Sequence, residues 1–443
     1  MQRAGRSLTV ATLVVAVSGY AVIVLAGRSL SPADYERFTV YWGLFFACTG
    51  VLDGLLQETT RAVTAAQQAP GRPAGLPAGH SVTDADPASG AHPAAVAVGV
   101  ALGVTALIAC TAPLWASSLL PGAGVTGAVL LASGLASYAV QATVCGLLSA
   151  SGRWRSYAWL ISVDSAVRVA LAVAAWATGL HLTAFLLVTV IGAATWTGLL
   201  LTDRHRTRIL LRHRADVPTG EFLRRVGAAM LASGATALLI TGFPVLFTVT
   251  SRDAAPGTLA AVITAVTLTR APLLVPLQRF LPALIVHLSR HRDAVRRALL
   301  RPLAVVVATA LGGGLMAWWL AVPLAGWFFP ADLVADAGVF AVLTVASGAL
   351  AVLMVTGSAM LTVERHGVYV LGWLTATVVA VALLSLDLSP ATRAALALGV
   401  APLAGAAVHL AASASPASFR RLRPSRPARP VQPGRAGSSS RTR

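Results

Sequence analysis

The chain of 443 residues contains no lysine, only three cysteines and few charged residues of any kind. Charged side chains make up 11% of it and hydrophobic ones 56%, a balance that excludes an ordinary soluble domain. Cys48, Cys110 and Cys145 lie in apolar segments without metal-ligand spacing, so neither disulfide nor zinc chemistry is expected. The net charge of +18 arises from arginine, and in a membrane protein it indicates attraction to anionic lipids rather than to nucleic acid.

Twelve apolar stretches follow one another along the chain. A transmembrane helix needs roughly 20 predominantly apolar residues to cross a hydrocarbon core of ~30 Å, and each stretch is about that long. The sequence therefore predicts an all-α polytopic membrane protein with about twelve transmembrane helices. The predicted spans are 7–27, 38–61, 94–119, 124–150, 157–178, 182–202, 222–250, 257–289, 300–322, 337–363, 367–386 and 392–412.

The connecting segments carry their arginines almost wholly on one side of the predicted membrane. The opposite side has only Arg28, Arg37, Arg252 and Arg393. Because basic residues in short loops remain cytoplasmic, both termini are predicted to be cytoplasmic, in a multi-pass protein of the plasma membrane. We refer below to the side with most arginines as the arginine-rich face.

A basic loop at 203–221 divides the spans into two sets of six. The sequence thus predicts an N-terminal lobe over 1–202, a cytoplasmic linker over 203–221 and a C-terminal lobe over 222–412. Residues 413–443 are rich in arginine, proline and serine and are predicted to form a disordered basic tail. Two six-helix lobes joined by a linker are typical of transporters that handle their substrate between the lobes.

Charged and amide side chains inside the predicted spans are the best candidates for a functional site. Asp53, Gln57 and Arg61 are spaced i, i+4 and i+8 in span two and share one helix face. Asp164 and Arg168 are spaced i, i+4 in span five. Each charge at a lipid-facing helix centre costs about 2.5–3.5 kcal/mol, so these groups are expected to face one another or a water-filled cavity. Asp164 and Arg168 can satisfy one another, and Arg61 can also reach the membrane interface.

Span eight is unusually long, carries three prolines and is predicted to be kinked. Arg270 lies near its middle, with Gln278 and Arg279 nearer the cytoplasm. Arg279 is close enough to the end to reach the interface. Arg270 has no acidic residue within one turn of its own helix. Two interpretations stay open for it: a ligand for an anion, or an ion pair with Asp53 or Asp164 across helices.

The sequence offers no pattern typical of an enzyme. The predicted outer loops are short and contain no histidine–carboxylate cluster, and no phosphate-binding glycine loop of the ATPase kind is present. We therefore expect no catalytic residues, no cofactor and no metal site. Transport by this chain would be driven by an ion gradient or by substrate supply.

Three stretches of the sequence resemble a known group. The residues Gly27–Phe38 (GRSLSPADYERF) lie between spans one and two, 54–61 (GLLQETTR) end span two, and 270–282 (RAPLLVPLQRFLP) lie in span eight. They resemble the corresponding parts of Wzx-like polysaccharide flippases of the multidrug/oligosaccharidyl-lipid/polysaccharide (MOP) superfamily, of the actinobacterial type. Glu36 stands where that group usually has glycine. Twelve spans favour the polysaccharide and multidrug (MATE) branches over the lipid II flippases.

This resemblance implies a V-shaped pair of six-helix bundles around a cationic cavity. It implies a flippase for an undecaprenyl-pyrophosphate-linked oligosaccharide, with glycosyltransferases or a polymerase of the same pathway as possible partners and anionic lipids around it. The predicted substrate-binding residues are Arg270, Arg61, Arg168, Arg279 and Gln278, with Asp53, Asp164 and Gln57 as their partners in the cavity. The alternatives are a cation-coupled MATE-type exporter, which needs carboxylates in its cavity, and a non-transporting scaffold for cell-wall assembly. A major-facilitator transporter is less favoured, because its loop signature is absent.

Overall fold

A computed structural model describes residues 2–68, 90–202, 204–251, 254–290 and 294–413, except for the side chains of 2–9, Arg206, Arg279 and Pro282. These residues form α-helices joined by short turns. Residues 69–89 and the predicted tail beyond Ser413 lie outside the described residues. The helices are α1 Gln2–Ser29, α2 Pro32–Gln68, α3 Pro93–Leu119, α4 Gly124–Ala150, α5 Trp154–Ala177, α6 Leu182–Ile191, α7 Trp196–Thr202, α8 Arg204–Leu211, α9 Thr219–Ile240, α10 Phe243–Val249, α11 Ala260–Arg290, α12 Val295–Phe328, α13 Ala337–Thr362, α14 His366–Leu384 and α15 Pro390–Ser413.

The helices confirm the predicted all-α polytopic fold. In the described part of the chain, 11 helices are long and apolar enough to cross a membrane, and the bent pair α6–α7 raises the number to 12. The short helices α8 and α10 are additions that the sequence did not predict. Helix α11 runs through its prolines from Ala260 to Arg290, and its kink remains a prediction.

The predicted spans over 182–202 and 222–250 are each divided by a break in the helix. Span six changes direction by 48° after a 3₁₀ turn at Gly192–Ala194. Span seven stops at Ile240, and Pro244 opens the separate helix α10 within its first turn. Proline is suited to that position, because its missing N–H has no partner at the start of a helix. Both breaks lie inside continuous apolar stretches, so the hydropathy of the sequence does not indicate where the helices break.

The hydrophobic core consists of two large clusters and one smaller cluster. One large cluster is built from residues between 235 and 406, and the other chiefly from residues between 22 and 226. The second cluster also includes Ala260, Phe329 and Leu333, so the two predicted lobes share apolar packing. The lobe boundaries themselves remain a prediction.

Helices α2 and α9 join the two halves through a close contact at Gly54. A Cβ atom at Gly54 would lie 2.3 Å from the backbone nitrogen of Met230. We expect Gly54→Ala to lower the free energy of unfolding by about 1–3 kcal/mol, because the two backbones must separate. Thermal unfolding in detergent measures this, with Gly103→Ala as the control because its Cβ meets nothing within 4 Å. Equal melting temperatures for the two variants would contradict this close packing.

Candidate functional site: a cavity between the two halves

A cavity of about 1450 Å³ lies between helices of both predicted lobes. Helices α1, α2, α4 and α5 line it from the N-terminal half, and α9, α14 and the end of α13 line it from the C-terminal half. Pockets for drug-sized ligands measure roughly 300–1,000 Å³, so this cavity has room for a larger cargo. The placement agrees with the predicted substrate site between lobes.

The cavity extends to the arginine-rich face, where Arg61, Arg225 and His366 line it. On the opposite side, contacts between the two halves close the protein. There the Arg28 guanidinium donates to the carbonyls of Phe328, at 2.8 Å, and Trp327. The arrangement is therefore open toward the arginine-rich face and sealed toward the other.

A second contact closes the same side of the protein. The Glu36 carboxylate accepts a hydrogen bond from the Leu259 N–H, at 3.1 Å. Glu36 is the residue that departs from the glycine of the resembling flippases, and it makes an inter-lobe contact that glycine cannot make. Nearby, the Tyr20 hydroxyl donates to the Thr267 carbonyl, at 3.1 Å.

Arg61 lies at the mouth of the cavity between two carboxylates. Its Nη2 atom is 2.6 Å from Glu58 Oε1 and 3.0 Å from Asp216 Oδ1. Glu58 lies one turn earlier on α2, whereas Asp216 comes from the predicted linker. Arg61 therefore does not simply extend to the interface. Its ion pairs with Glu58 and Asp216 attach the predicted linker to α2, and 40% of the Arg61 side chain remains exposed.

Asp164 and Arg168 form the ion pair that their spacing predicts, with 2.9 Å between Arg168 Nη2 and Asp164 Oδ1. The absence of a side chain at Gly192 makes room for this pair, because a Cβ there would collide with Asp164 Oδ1. The Arg168 guanidinium also lies 5.0 Å from the ring centre of Phe46, a cation–π contact. The Asp164–Arg168 pair thus packs against Gly192 and Phe46 and lines the cavity.

Asp53 faces the cavity without a basic partner. Its Oδ1 atom accepts a hydrogen bond from the Tyr138 hydroxyl, at 2.7 Å. None of the ion pairs within the described residues includes Asp53. Gln57, one turn along the same face, donates to the Ser233 hydroxyl across the cavity, at 3.2 Å. Asp53, Gln57 and Arg61 thus share one wall, as their spacing predicts.

Arg270, the central residue of the sequence hypothesis, does not line this cavity. It is buried behind the wall, where Nη1 donates to the Ile240 carbonyl at 2.7 Å and the guanidinium lies 4.8 Å from the Phe243 ring centre. Its Nε and Nη2 atoms have no hydrogen-bond partner among the described residues. The predicted pairing with Asp53 or Asp164 is not formed, since those carboxylates bind Tyr138 and Arg168.

Gln278 is exposed on α11 and lies away from the cavity lining. Arg279 belongs to the same helix, but its side chain lies outside the described part of the structure. Sequence gives the depth of such residues in a span but not the direction in which the helix turns them. The structure thus brings together five of the predicted residues, which are Asp53, Gln57, Arg61, Asp164 and Arg168.

The described side chains do not make the cavity lining cationic, in contrast to what the resemblance implies. Its lining includes the carboxylates of Asp53, Glu58 and Asp164 and the guanidiniums of Arg61, Arg168 and Arg225, so the formal charges balance. Arg225 in turn pairs with Glu221, at 2.7 Å. The sequence interpretation missed Asp216 and Glu221, the acidic partners of Arg61 and Arg225 at the mouth. It also missed the polar aromatic and amide residues of the lining, which are Tyr138, Gln141, Tyr157 and Tyr369.

Metal binding gains no support from the geometry. Across the ranges that the structure describes, no group of three or more histidine, cysteine, aspartate or glutamate residues is placed to hold a metal ion.

The fold is similar to that of solved transporters. An inward-facing conformation of a multidrug resistance MATE family transporter of the MOP superfamily superposes with a TM-score of 0.69 and 13% identity, over 90% of this chain and 93% of that one. An outward-facing conformation of such a transporter gives 0.63. A MOP superfamily transporter from Pyrococcus furiosus with a binding pocket of reverse polarity gives 0.64 at 14% identity, over 93% of this chain and 94% of that one. The chain therefore has the fold of MATE family transporters and is a multi-pass protein of the plasma membrane.

Relatives by sequence come from mycobacteria, and no family model matches the sequence. "Uncharacterized protein Rv3630" of Mycobacterium tuberculosis (strain ATCC 25618 / H37Rv) is 38% identical over 405 residues, which cover 91% of this chain and 90% of that protein. "Uncharacterized protein Rv1510" of the same strain is 37% identical over 409 residues, with the same coverage. At this identity over nine-tenths of both chains, the protein belongs to one family with these two mycobacterial proteins.

Proposed function

We propose that this protein is a flippase that moves an undecaprenyl-pyrophosphate-linked oligosaccharide, or a related precursor of a cell-envelope glycan, across the membrane by alternating access. The observation that carries the proposal is the cavity of about 1450 Å³ between the two halves, lined by paired arginines and by polar aromatic and amide side chains. Glycosyltransferases or a polymerase of the same pathway would supply and consume such a cargo.

The lining suits the sugar part of this cargo. Tyr138, Tyr157 and Tyr369 offer flat apolar faces with a polar tip, a combination typical of surfaces that must be apolar at one end and wet at the other. Gln57 and Gln141 present both donors and acceptors, as the hydroxyl groups of a sugar require. The balanced charges of the described lining residues are compatible with binding of a largely neutral glycan.

The pyrophosphate would bind first at Arg61. This arginine is the more exposed of the two predicted cavity arginines, and it already holds carboxylate oxygens in the geometry that a phosphate oxygen would take. An arriving pyrophosphate can replace Asp216 without leaving Arg61 unpaired. Among the described side chains, Arg270 and Gln278 lie away from the cavity lining, so the proposal assigns first contact to Arg61.

A cation-coupled exporter of the MATE kind is the second candidate, and Asp53 is the observation that favours it. A carboxylate that faces a cavity with only a tyrosine hydroxyl as partner can bind an inorganic or organic cation. A scaffold without transport activity needs no cavity of this volume, and the geometry gives that alternative no support.

Flipping in proteoliposomes tests the proposal with the variants Arg61→Gln and Asp53→Asn. A hydrogen bond to a charged group contributes about 1.5–3 kcal/mol, so we expect Arg61→Gln to slow flipping of a fluorescent lipid-linked oligosaccharide at least about tenfold. Asp53→Asn should retain most of the activity. Arg296→Gln, an exposed arginine at the start of α12, serves as the control.

Two results would decide against the flippase. The first is unchanged flipping by Arg61→Gln in a protein that melts like the parent. The second is export of organic cations that Asp53→Asn abolishes, without flipping of the lipid-linked substrate, which would instead support the MATE-type exporter.

A further inference from the structure

A second pocket, of about 500 Å³, lies on the arginine-rich face outside the central cavity. We call it the α8 pocket. Its walls come from the end of α2, the turn between α4 and α5, and helix α8 with the residue that follows it. The lining residues are Gln67, Ser151, Arg153, Ile209, Leu210 and His213. The proposed transport of a glycan does not use this pocket.

Helix α8 is fixed against the ends of the spans and forms a rigid wall. Leu210 is buried in a small apolar cluster with Val63, Leu148 and Leu160, from α2, α4 and α5. Because Leu210 points inward, its neighbour Ile209 remains half exposed at the rim. The pocket therefore has an apolar edge at the level where the helices leave the membrane.

The polar lining of the α8 pocket can donate hydrogen bonds, and no carboxylate belongs to it among the residues that the structure describes. Arg153 takes part in no ion pair or side-chain hydrogen bond within the described ranges, unlike the arginines of the central cavity. The Ser151 hydroxyl is buried and has no partner there either. His213 Nδ1 lies 2.8 Å from the Leu210 carbonyl, which leaves Nε2 available to the pocket.

The pocket is surrounded by hydrogen-bond donors, which are an unpaired guanidinium, an unpaired buried hydroxyl and an amide. These donors are complementary to a phosphate group, which offers several strong acceptor oxygens. Two sources can supply that chemistry, a lipid headgroup and a soluble phosphate compound. The apolar rim at Ile209 and the position at the membrane edge favour the lipid. We propose that the α8 pocket binds the phosphate headgroup of an anionic lipid of the arginine-rich leaflet.

Binding of short-chain phosphatidic acid to the full-length protein in phosphatidylcholine nanodiscs tests the proposal. We expect saturable binding that Arg153→Gln weakens at least about tenfold, since it removes a charge-assisted contact. Arg155→Gln is the matched control, because Arg155 is exposed only two residues further on, at the start of α5, and is not part of the pocket lining. It should change the affinity less than about twofold.

Three results would overturn the assignment. Equal losses with Arg153→Gln and Arg155→Gln would indicate general attraction by a basic surface. Equal binding of short-chain phosphatidylcholine would indicate an apolar groove. Displacement of the lipid by inorganic phosphate at the same concentration would indicate a soluble ligand. A Ser151→Ala variant that binds more weakly, with an unchanged melting temperature, would add support for a defined phosphate site.

Discussion

Arg168→Met is expected to lower the free energy of unfolding by about 3–5 kcal/mol, because it leaves the buried Asp164 carboxylate without its partner. The side chains of Arg168 and Asp164 are only 6% and 17% exposed, so water from the cavity replaces the lost contact only in part. Breaking the pair also removes the cation–π contact with Phe46. The measurement is thermal or denaturant unfolding of the purified protein in detergent.

The double variant Asp164→Leu/Arg168→Met is the control for this prediction. Replacing both members of a buried ion pair by apolar residues is often neutral or stabilising, so the double variant should regain most of the lost stability. The flipping activity of the double variant should stay low if Arg168 binds the transported lipid-linked oligosaccharide. It should recover together with the stability if the ion pair only holds α5 in place. A single variant as stable as the parent would contradict the ion pair.

Arg28→Gln is expected to open the side of the protein opposite the arginine-rich face. The Arg28 guanidinium donates to two carbonyls at the end of α12, and hydrogen bonds to a charged group contribute about 1.5–3 kcal/mol each. Their loss should raise the population of the outward-open state at least about tenfold, because this contact exists only when that side is closed.

Labelling of a cysteine placed at Ser233, on the cavity wall, measures the opening. The three native cysteines are first replaced by alanine. A membrane-impermeant maleimide added outside should then react faster in the Arg28→Gln variant. Arg37→Gln is the matched control, since Arg37 lies on the same face and its ion pair among the described residues is within α2, with Asp34 at 2.9 Å. Equal labelling rates in the two variants would show that the Arg28 hydrogen bonds do not hold this side of the protein closed.

The sequence predicted the helices better than their breaks. Long apolar runs and the arginine distribution are enough for the spans, because crossing a bilayer imposes both. The bend after Ile191 depends on Gly192, which must let the distant Asp164–Arg168 pair approach. The residues around Gly192 in the sequence give no indication of its contact with the Asp164–Arg168 pair. The break at Thr241 and Gly242 is signalled only by Pro244, and one proline in an apolar run is also compatible with a kinked span.

The candidate site was predictable where its residues share one helix. The wall formed by Asp53, Gln57 and Arg61 follows from a spacing of four residues, and so does the Asp164–Arg168 pair. Partners on other elements could not be predicted in this way. Asp216 meets Arg61 from 155 positions further along the chain, and the burial of Arg270 depends on how α11 rotates against α10.

The attachment of Asp216 to Arg61 has a consequence for movement. Backbone hydrogen bonds also tie this part of the predicted linker to the start of α3, from Ala91 N–H to Val217 O and from Ala215 N–H to Ala91 O, each at 2.9 Å. Residues 215–217 therefore travel with the N-terminal half as one piece. The attachment continues through Pro218, which forms a β-bridge with Gly90, and through Phe222 and Val226 of α9, which pack in the N-terminal apolar cluster. The connection before α9 is therefore a fixed part of the N-terminal half rather than a slack tether of nineteen residues over 203–221.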